Sequence, residues 1–311
     1  MPSSRPFRVV IAGLGSAGRR HLRNLRAVND RAEITLLRSF RSTLPDDELR
    51  GLPVDTTIQE ALARRPDAVI VATPTALHLD TALPAARAGC HLLIEKPVSH
   101  SLNGVEELRS TAASVLVGFQ YRFHPGLRRI RHLLHSVLAG QPWHASLEWG
   151  EYLPGWHPWE DYRHSYAARA ELGGGVLLTL CHPFDYLRWL FGEVESVAAT
   201  TSSQGGLGID VEDTADIQLR FAGGASAQVH LDYLAQPPRH RLHLTGPAGA
   251  LEWDLSADGE RDAMFLEEMR HFVACLEGRE QPVCTLDDGI AALRIALAAK
   301  QSAAQGVPLA P

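Results

Sequence analysis

The sequence predicts an α/β protein of two domains, the first built on a parallel sheet and the second on an antiparallel one. Apolar runs and amphipathic segments alternate through the first third of the chain, as in repeated strand–helix units. After about Tyr121 the pattern changes to strands of alternating apolar and polar residues, several of them joined by Gly-rich turns. The 311 residues suffice for two domains, which we place at 1–121 and 122–311.

The first domain opens on an apolar strand, and amphipathic segments separate the strands that follow. Strands are predicted over 7–13, 33–37, 67–73, 90–96 and 114–119. Helices are predicted over 17–28, 57–64, 77–88 and 102–110. Thr57 and Glu60 form a capping-box pattern at the start of the second helix.

The second domain alternates apolar and polar residues, which indicates a sheet with one covered face. Its strands are predicted over 144–150, 214–221, 226–233, 241–246 and 250–254. Two helices follow, over 264–277 and 285–305, and Gly306 and Pro308 end the second of them.

The composition excludes several classes of partner. Lys and Arg number 30 against 36 Asp and Glu, a net charge of −6, and no stretch gathers the basic residues that nucleic acid requires. No apolar run approaches the ~20 residues that span a bilayer, so we expect no membrane partner. The four cysteines stand far apart and no leading segment has signal-peptide form, which predicts a cytoplasmic protein. No His or Cys cluster has ligand spacing, and we expect no metal.

Three glycines lie between the first strand and the first helix. Gly13, Gly15 and Gly18 have the G-x-G-x-x-G spacing of a dinucleotide-binding turn. In such a fold the first makes the tight turn, the second lets the pyrophosphate approach the backbone, and the third lets helix and strand pack closely. The helix N-terminus, at Ser16 and Ala17, would then face the anion. A plain strand–helix turn, with glycine serving geometry only, is the alternative.

The end of the second strand selects between cofactors. An acidic residue there would bind the ribose 2′-hydroxyl of NAD, and this sequence has none. Arg38, Ser39 and Arg41 stand there instead, two guanidinium groups and a hydroxyl suited to a 2′-phosphate. We therefore expect NADP(H) as the preferred cofactor and NAD(H) as the second choice. A solvated basic turn is the alternative.

Six segments carry a family resemblance over nearly the whole length. They are GLGSAGRRH at 13–21, ATPTALH at 72–78, IEKPVS at 94–99, GFQYRFHP at 118–125, LGGGVLLTLCHPFDYLRWLFG at 172–192 and FVACLEGREQPV at 272–283. In this order they resemble the Gfo/Idh/MocA oxidoreductases. The resemblance implies a Rossmann domain, then an α+β domain with a large, mostly antiparallel open sheet whose exposed face makes a homodimer or homotetramer. It also implies a small-molecule substrate: a pyranose, an inositol or a nucleotide sugar.

In that family an E-K-P motif lies at the end of a strand by the nicotinamide, so the resemblance maps Glu95, Lys96 and Pro97 onto it. Lys96 would be the catalytic cation, since an ammonium group against the carbinol oxygen stabilises the developing carbonyl or relays its proton. A surface lysine that follows a strand is the alternative. Further cofactor contacts are expected from Thr73, Pro74, Thr75, His78 and Gln120.

Glycines 173–175 precede a segment that contains one histidine, His182. Without side chains they let the backbone approach a sugar or the nicotinamide. Thr179, His182 and Asp185 are spaced i, i+3 and i+6, which predicts one helix face. The resemblance implies that His182 is the acid/base group of the substrate site, and a core histidine is the alternative. Relatives carry an aspartate about one turn before it; Thr179 stands here and would supply a hydrogen bond without a charge.

Aromatic residues and one arginine crowd the segment 152–166, and aromatic rings suit the C–H faces of sugars. Arg163 would hold a carboxylate or phosphate of the substrate. Packing of these rings onto the second domain is an equal alternative. The expected substrate-binding residues are Lys96, Arg122, Trp159, Arg163, Tyr166 and His182.

The leading hypothesis is an NAD(P)-dependent dehydrogenase or reductase that transfers a hydride between the nicotinamide and a hydroxyl or keto carbon of a sugar-like substrate. One alternative is an NAD-retaining glycosidase of the same fold, which oxidises, eliminates and re-reduces. Another is a dinucleotide-binding regulator without turnover. Such a regulator would lack the lysine and the histidine, and both Lys96 and His182 are present.

Overall fold

The computed structural model describes residues 5–38, 47–111, 114–136, 143–254 and 260–311, which divide into two compact units. Residues 1–120 with 261–289 form the first unit, and 121–260 with 290–311 form the second. The chain thus returns to the first unit late in the sequence, which local patterns do not reveal. The domain bounds 1–121 and 122–311 stay a prediction.

Six parallel strands form the sheet of the first unit, in the order β3-β2-β1-β4-β5-β6. From β1 the chain adds β2 and β3 on one side, and then β4, β5 and β6 on the other. The point of reversal lies between β1 and β4, which is where open α/β sheets bind ligands. The elements of this part of the chain are β1 (Arg8–Ala12), α1 (Ser16–Val28), β2 (Glu33–Leu37), β3 (Val54–Asp55), α2 (Ile58–Ala63), β4 (Ala68–Val71), α3 (His78–Arg87), β5 (His91–Glu95) and β6 (Val115–Gly118).

The five strands predicted for this domain are all present, and the parallel sheet is confirmed. β4 is wholly apolar, with 0% exposure from Ala68 to Val71. Both faces of this strand are buried, so apolar and polar residues do not alternate along it. β3 has only two residues, too few for a pattern to predict. The helix predicted over 102–110 is instead a 3-10 helix, Val105–Ser110, and Gly104 before it interrupts the helical backbone with a left-handed φ of +77°.

The capping box predicted at the start of α2 is confirmed. Oγ1 of Thr57 accepts a hydrogen bond from the backbone N–H of Glu60 at 3.2 Å. Oε2 of Glu60 accepts one from the backbone N–H of Thr57 at 3.1 Å. The reciprocal pair satisfies donors that the first turn of a helix leaves unpaired, and it fixes the start of the helix between β3 and β4.

Six strands also form the sheet of the second unit, in the order β12-β11-β7-β10-β9-β8. β7 and β10 run parallel, and the other neighbours run antiparallel, which confirms a mostly antiparallel sheet. The remaining elements are α4 (Pro125–His135), β7 (His144–Gly150), α5 (Val176–Thr179), α6 (His182–Phe191), β8 (Val194–Ser202), β9 (Thr214–Phe221), β10 (Ser226–Asp232), β11 (Arg239–Gly246), β12 (Gly249–Asp254), α7 (Glu260–Leu276) and α8 (Leu286–Gln305).

The second sheet has one covered and one polar face, as its alternating sequence predicts. β9 alternates between buried and exposed positions along most of its length, and α5 packs on β9 and β10. The opposite face presents the polar residues Ser146, Glu148, Gln218, Gln228 and His230, which line a cavity of about 660 Å³. β8 is an edge strand that the pattern does not predict, because small and polar residues dominate its second half.

The segment 172–186 forms two helices rather than the single helix face that the spacing predicts. α5 ends at Thr179, and Leu180 leaves the helical region with a ψ of 35°. α6 begins at His182 and carries Pro183 in its first turn. A proline at 183 would clash with the carbonyl of residue 179 if the helix were continuous, and it has no N–H to donate. Thr179 and His182 therefore do not share a helix face.

Two helices follow the second sheet, as predicted. α7 packs into the first unit, where the guanidinium of Arg20 lies 4.1 Å from the ring centroid of Phe265. α8 begins with a capping box in which Thr285 Oγ1 accepts from the backbone N–H of Asp288 at 3.2 Å. None of the helices in the described part of the chain is both long and apolar enough to cross a membrane.

Candidate active site

The loop between β1 and α1 is closed against the sheet by two glycines. Gly13 has a left-handed φ of +86°, and a Cβ there would lie 2.4 Å from the carbonyl oxygen of Ala72. A Cβ on Gly18 would lie 1.8 Å from the carbonyl oxygen of Gly13. Neither position accepts a side chain, so both glycines are required for the turn and for the close packing of α1 on the sheet.

The third glycine of this loop is open. A Cβ on Gly15 would meet no atom within 4 Å, and Gly15 is the N-cap of α1. Ser16 and Ala17 form the first turn together with glycine and basic residues, and no acidic side chain occupies that turn. Free N–H groups and the helix dipole favour an anion at such an end. The loop therefore fits the pyrophosphate of a dinucleotide.

Arg38 follows β2 directly, and its backbone N–H donates to the carbonyl of Asp55 at 3.1 Å. Ser39 and Arg41, the other two residues expected to bind a 2′-phosphate, lie outside the described residues. The acid opposite the end of β2 is Asp55, which pairs in register with Leu37. Its carboxylate accepts two hydrogen bonds from Arg64, at 2.7 and 2.8 Å, and so is already engaged.

His78 ties together two segments expected to contact the cofactor. Its Nε2 lies 2.9 Å from the carbonyl oxygen of Thr73, and its Nδ1 lies 3.0 Å from that of Pro97. Burial lowers the pKa of His78, so the ring is neutral and donates to one carbonyl at a time. Pro74 and Thr75 start the short 3-10 helix before α3. His78 thus positions the backbone at Thr73 and at Pro97.

Glu95 ends β5, and its carboxylate is held from two sides. Oε1 accepts from Nε2 of His21 at 2.8 Å, and Oε2 accepts from the backbone N–H of Lys96 at 3.2 Å. Burial opposes ionisation of Glu95, but the hydrogen bond and charge of His21 outweigh it, with help from Lys96 and Arg20. The pKa of Glu95 is lowered to about 2 as a result. Glu95 is therefore a carboxylate fixed beside Lys96. Gln120, which follows β6, is 7% exposed.

In the second unit, His182 is held between aromatic rings. It is 3% exposed, and its ring lies 5.0 Å from that of Tyr121, edge-on, and 5.5 Å from that of Trp149, at an interplanar angle of 28°. Tyr121 also lies edge-on to Trp149, at 5.6 Å. This packing restricts rotation of the imidazole and fixes the direction of its nitrogen atoms.

A second histidine completes the ring cluster from the other side of Trp149. His240 stacks on Trp149 at 4.2 Å with an interplanar angle of 9°, and the two residues are directly opposite in the pairing of β11 with β7. Nδ1 of His240 lies 3.1 Å from the hydroxyl of Tyr121, and Nε2 lies 3.0 Å from the hydroxyl of Tyr186. Burial, with the nearby charge of His124, lowers the pKa of His240 to about 3. His240 is thus a neutral structural group.

Arg122 and Asp185 form an ion pair close to His182 in the chain. Nε of Arg122 lies 2.9 Å from Oδ2 of Asp185, and Nη2 lies 2.7 Å from Oδ1. The two side chains are 3% and 1% exposed. This bidentate geometry fixes α6 on the 3-10 segment Gln120–Phe123.

Thr179 lies in a hydrogen-bonded chain of hydroxyl and carbonyl groups. Its Oγ1 donates to the carbonyl of Gly175 at 2.8 Å and is hydrogen-bonded to the hydroxyl of Tyr233. Because each hydroxyl has one hydrogen, Tyr233 donates its own to Thr179, and the carbonyl oxygen of Ala167 lies 3.2 Å from the Tyr233 hydroxyl oxygen. Burial raises the pKa of Tyr233 well above its ordinary value, so this hydroxyl keeps its proton. Thr179 therefore links Gly175 to Tyr233, the residue that follows β10.

The glycines of this segment are needed for contacts with the chain itself. A Cβ on Gly174 would lie 2.5 Å from the carbonyl oxygen of Tyr166. Gly175 has a φ of +100°, and a Cβ there would lie 2.3 Å from the carboxylate of Glu212. That carboxylate accepts from the backbone N–H of Leu177 at 3.3 Å and so caps α5. Burial raises the pKa of Glu212.

The aromatic segment 152–166 is placed mainly by its own contacts. The hydroxyl of Tyr162 donates to the carbonyl of Leu207 at 2.7 Å. Arg163 forms a two-pronged pair with Asp161, with Nε and Nη2 each 2.9 Å from a carboxylate oxygen. Trp159 is 52% exposed, and Tyr166 begins a 3-10 helix that leads toward the glycines. Among the residues that the structure describes, no three His, Cys, Asp or Glu side chains gather as metal ligands would.

Three residues of the aromatic cluster around His182, and one acid on α7, are not predicted by the sequence. Trp149 and His240 meet only because β11 pairs with β7, a long-range register that no local pattern states. Tyr121 lies inside the motif at 118–125, which was the available signal. Glu268 lies between Phe265 and Phe272 on the apolar side of α7. An acid among apolar residues of a helix indicates a buried carboxyl group.

A helix N-terminus open to a pyrophosphate belongs to the dinucleotide-binding domains, and the lysine at the end of β5 lies on the ligand-binding edge of that sheet. The class is that of the two-domain oxidoreductases that use a nicotinamide cofactor. The comparisons with known proteins agree. Residues 7–122 match the oxidoreductase family with an NAD-binding Rossmann fold, and residues 127–252 match the Gfo/Idh/MocA C-terminal domain. The chain belongs to this family of oxidoreductases.

Individual relatives extend the match to almost the whole chain. An uncharacterised oxidoreductase of Synechocystis is 32% identical over 65% of this chain and 58% of its own length. Myo-inositol 2-dehydrogenase of Thermotoga maritima is 27% identical over 95% of this chain and 96% of its own. The crystal structure of the WlbA dehydrogenase from Bordetella pertussis, in complex with NADH and UDP-GlcNAcA, has a TM-score of 0.84 at 22% identity, covering 99% of each chain. The resemblance and fold class stated from the sequence are confirmed.

Proposed function

We propose that the protein transfers a hydride between the nicotinamide of NADP(H) and a hydroxyl or keto carbon of a small, sugar-like substrate. The observation that carries the proposal is the loop after β1, which Gly13 and Gly18 close against the sheet while Gly15 stays open. The bound cofactor would supply the hydride acceptor or donor. The inositol dehydrogenase and the UDP-GlcNAcA complex among the relatives support a polyhydroxylated substrate.

Lys96 is the proposed catalytic cation. It follows Glu95 at the carboxyl end of β5, and the hydrogen bond from its backbone to the Glu95 carboxylate fixes where its side chain begins. An ammonium group stabilises negative charge on the reacting oxygen and can accept or return the hydroxyl proton. Its attachment to a buried strand end gives it the rigid base that such a role requires.

His182 is the proposed acid/base group. Tyr121 and Trp149 hold its ring, and an imidazole can both accept and donate a proton. Thr179 supports it indirectly, by tying Gly175 and Tyr233 to the end of α5, the helix that precedes α6. The role proposed for Thr179 is therefore to position the backbone that leads to His182.

The substrate we propose is an uncharged sugar or polyol at the part that reaches His182. Arg122 and Arg163, the two arginines expected to bind substrate in this unit, both have their guanidinium groups engaged by carboxylates of the same chain. Arg122 is also buried, so its role is structural in this proposal. Trp159 is 52% exposed and would pack on the C–H face of a sugar ring, with Tyr166 as the second expected aromatic contact.

NADP(H) preference is proposed because basic residues follow β2, and because the one acid that pairs in register at the end of β2 among the described residues is engaged. Arg38 stands at that end, with Ser39 and Arg41 after it in the chain, and the carboxylate of Asp55 is held by Arg64. Charge-assisted hydrogen bonds to a phosphate contribute roughly 1.5–3 kcal/mol each. One engaged arginine would favour NADP(H) by about tenfold, and two by on the order of a hundredfold.

The test is a fluorescence titration of NADH and NADPH into the protein and into Arg38→Ala. We expect tighter binding of NADPH by the parent, and a loss in the variant that is confined to NADPH. Arg31→Ala, an exposed arginine before the same strand, is the matched control and should bind both cofactors as the parent does. Equal affinities of the parent for the two cofactors, or an equal loss for both in Arg38→Ala, would contradict the preference.

A homodimer or homotetramer formed through the polar face of the second sheet is the proposed assembly. That face includes the cavity lined by Ser146, His230 and Val307, and a two-fold dimer would place the same patch of both copies against each other. Analytical ultracentrifugation should give a dimer or tetramer mass, and a monomer at micromolar concentration would contradict it. All four cysteines are buried free thiols, which supports the cytoplasmic location that stays a prediction.

A further inference from the structure

Glu268 on α7 is a buried carboxyl group that the proposed function does not use. The residue is 1% exposed, and within the described part of the chain neither of its oxygens has a hydrogen-bond partner. An ionised carboxylate buried without a donor is strongly disfavoured, because it gives up its hydration and receives nothing in return. Glu268 is therefore held as the neutral acid.

The charged groups nearest to Glu268 come from two other elements. Burial raises the pKa of Glu268 well above its ordinary value, the negative charge of Glu95 raises it further, and the positive charge of Arg20 opposes them. Arg20 of α1 reaches α7 through its contact with Phe265, three residues before Glu268. The charged and titratable groups of these three elements near the cluster are Arg20, His21, Arg23, Glu95, Lys96, Arg261 and Asp262.

Glu95 and Glu268 differ in their donors, and this difference decides which of them is ionised. Glu95 accepts from His21 and from the backbone of Lys96, whereas Glu268 has no donor in the described chain. Two neighbouring buried carboxyl groups do not both ionise readily, because each charge penalises the other. The pair therefore carries one negative charge, on Glu95, and one proton, on Glu268.

We propose that this carboxyl pair sets the charge beside Lys96, and that Glu268 is a positioning residue that acts on Lys96 through Glu95. The inference rests on the role of Lys96 in the proposed function. While Glu268 holds its proton, the pair carries one negative charge, and Lys96 releases its proton more readily than it would beside two. In this proposal Glu268, neutral at neutral pH, loses its proton before Lys96 does as the pH rises. The second negative charge then stabilises the ammonium form of Lys96 and delays its deprotonation.

The first test is infrared spectroscopy of the full-length protein and of Glu268→Gln at neutral pH. The difference spectrum should show the loss of one carbonyl band of a protonated carboxyl group. Glu267→Gln is the matched control, because Glu267 is exposed on the same helix and pairs with Arg270; it should lose a carboxylate band instead. Loss of a carboxylate band in Glu268→Gln would overturn the proposal.

The second test measures the reactivity of Lys96 against pH by competitive acetylation and mass spectrometry. Lys96 and Lys300 are the two lysines of the chain, so Lys300 serves as an internal reference. In Glu268→Gln the labelling midpoint of Lys96 should fall by about half to one pH unit, while that of Lys300 stays in place. Glu268→Met should give the same shift, which shows that the amide does not cause it.

An unchanged Lys96 midpoint in both Glu268 variants would overturn the proposal, even if their folds are intact by circular dichroism. Neither readout uses turnover or a bound cofactor. If the protein showed no hydride transfer, the infrared and labelling results could still be interpreted. If the Glu268 variants showed no change in either readout, the result of the dehydrogenase assay would be unaffected. The two hypotheses can be rejected separately.

Discussion

Arg122 and Asp185 are joined by two parallel hydrogen bonds, 2.9 and 2.7 Å long, inside a pair of side chains that are 3% and 1% exposed. Removing one partner leaves the other as an uncompensated buried charge, which costs about 3–5 kcal/mol. Asp185→Asn should therefore lower the free energy of unfolding in urea by that amount. Arg163→Met, which breaks an exposed pair with Asp161, should leave the unfolding midpoint in place. Similar unfolding midpoints for all three proteins would show that breaking the buried pair does not cost this free energy.

His240 should make stability depend on pH below neutrality. Burial lowers its pKa from 6.5 to about 3, so between these values the unfolded chain binds a proton that the folded chain refuses. The stability that neutral His240 contributes is fully present above pH 6.5. As the pH falls from 6.5 toward 3, the free energy of unfolding decreases by about 1.4 kcal/mol per pH unit. His240→Gln removes this titration, so its unfolding free energy should fall less steeply from pH 6.5 to pH 4. Parallel slopes for the two proteins would show that His240 is protonated in the folded state.

Gly15 and Gly18 should respond to alanine in opposite ways. A Cβ on Gly18 meets a backbone oxygen at 1.8 Å, so Gly18→Ala should lower the melting temperature and reduce the yield of folded protein. A Cβ on Gly15 meets nothing within 4 Å, so Gly15→Ala should melt as the parent does. That methyl group would occupy the space above the helix N-terminus, and cofactor affinity should fall at least about tenfold. Unchanged cofactor binding by Gly15→Ala would remove the loop from the cofactor site.

Thr179 should tolerate serine better than valine. Ser keeps the hydroxyl that bonds to Gly175 and Tyr233, whereas Val leaves a buried tyrosine hydroxyl with one partner fewer, at a cost of about 1–3 kcal/mol. Tyr233→Phe combined with Thr179→Val should recover part of this stability, because no unpaired hydroxyl is left. Equal melting temperatures for the Ser and Val variants would contradict the role.

Much of the fold could be predicted because its signals are local. The apolar run of β4 and the capping box of Thr57 and Glu60 each follow from a few neighbouring residues. The helix face of Thr179 and His182 was wrong for a local reason that was available, since Pro183 cannot continue the helix that ends at Thr179.

The site could be predicted less completely, because its side chains are set by contacts distant in sequence. The glycine loop and the strand-end Glu95 lie where the motifs indicate, but the partner of Arg122 and the rings around His182 come from pairings of helices and strands. Glycines 174 and 175 were expected to serve a ligand. A Cβ on either would collide with Tyr166 or Glu212, so packing alone requires glycine there, and a glycine run does not by itself distinguish packing from ligand binding.

Lys96 is proposed to carry out the proton transfer that accompanies hydride transfer, and steady-state turnover of the parent and of Lys96→Met measures that role. Reduction of NADP+ is followed by the absorbance of the reduced nicotinamide, with a panel of inositols and neutral aldoses as substrates. Lys300→Met is the matched control, since Lys300 is half exposed and lies 3.9 Å from Glu212. We predict a loss in kcat of at least about 100-fold for Lys96→Met, with cofactor affinity nearly intact, and parent-like turnover for Lys300→Met. Near-normal turnover by Lys96→Met would exclude Lys96 from the proton-transfer step.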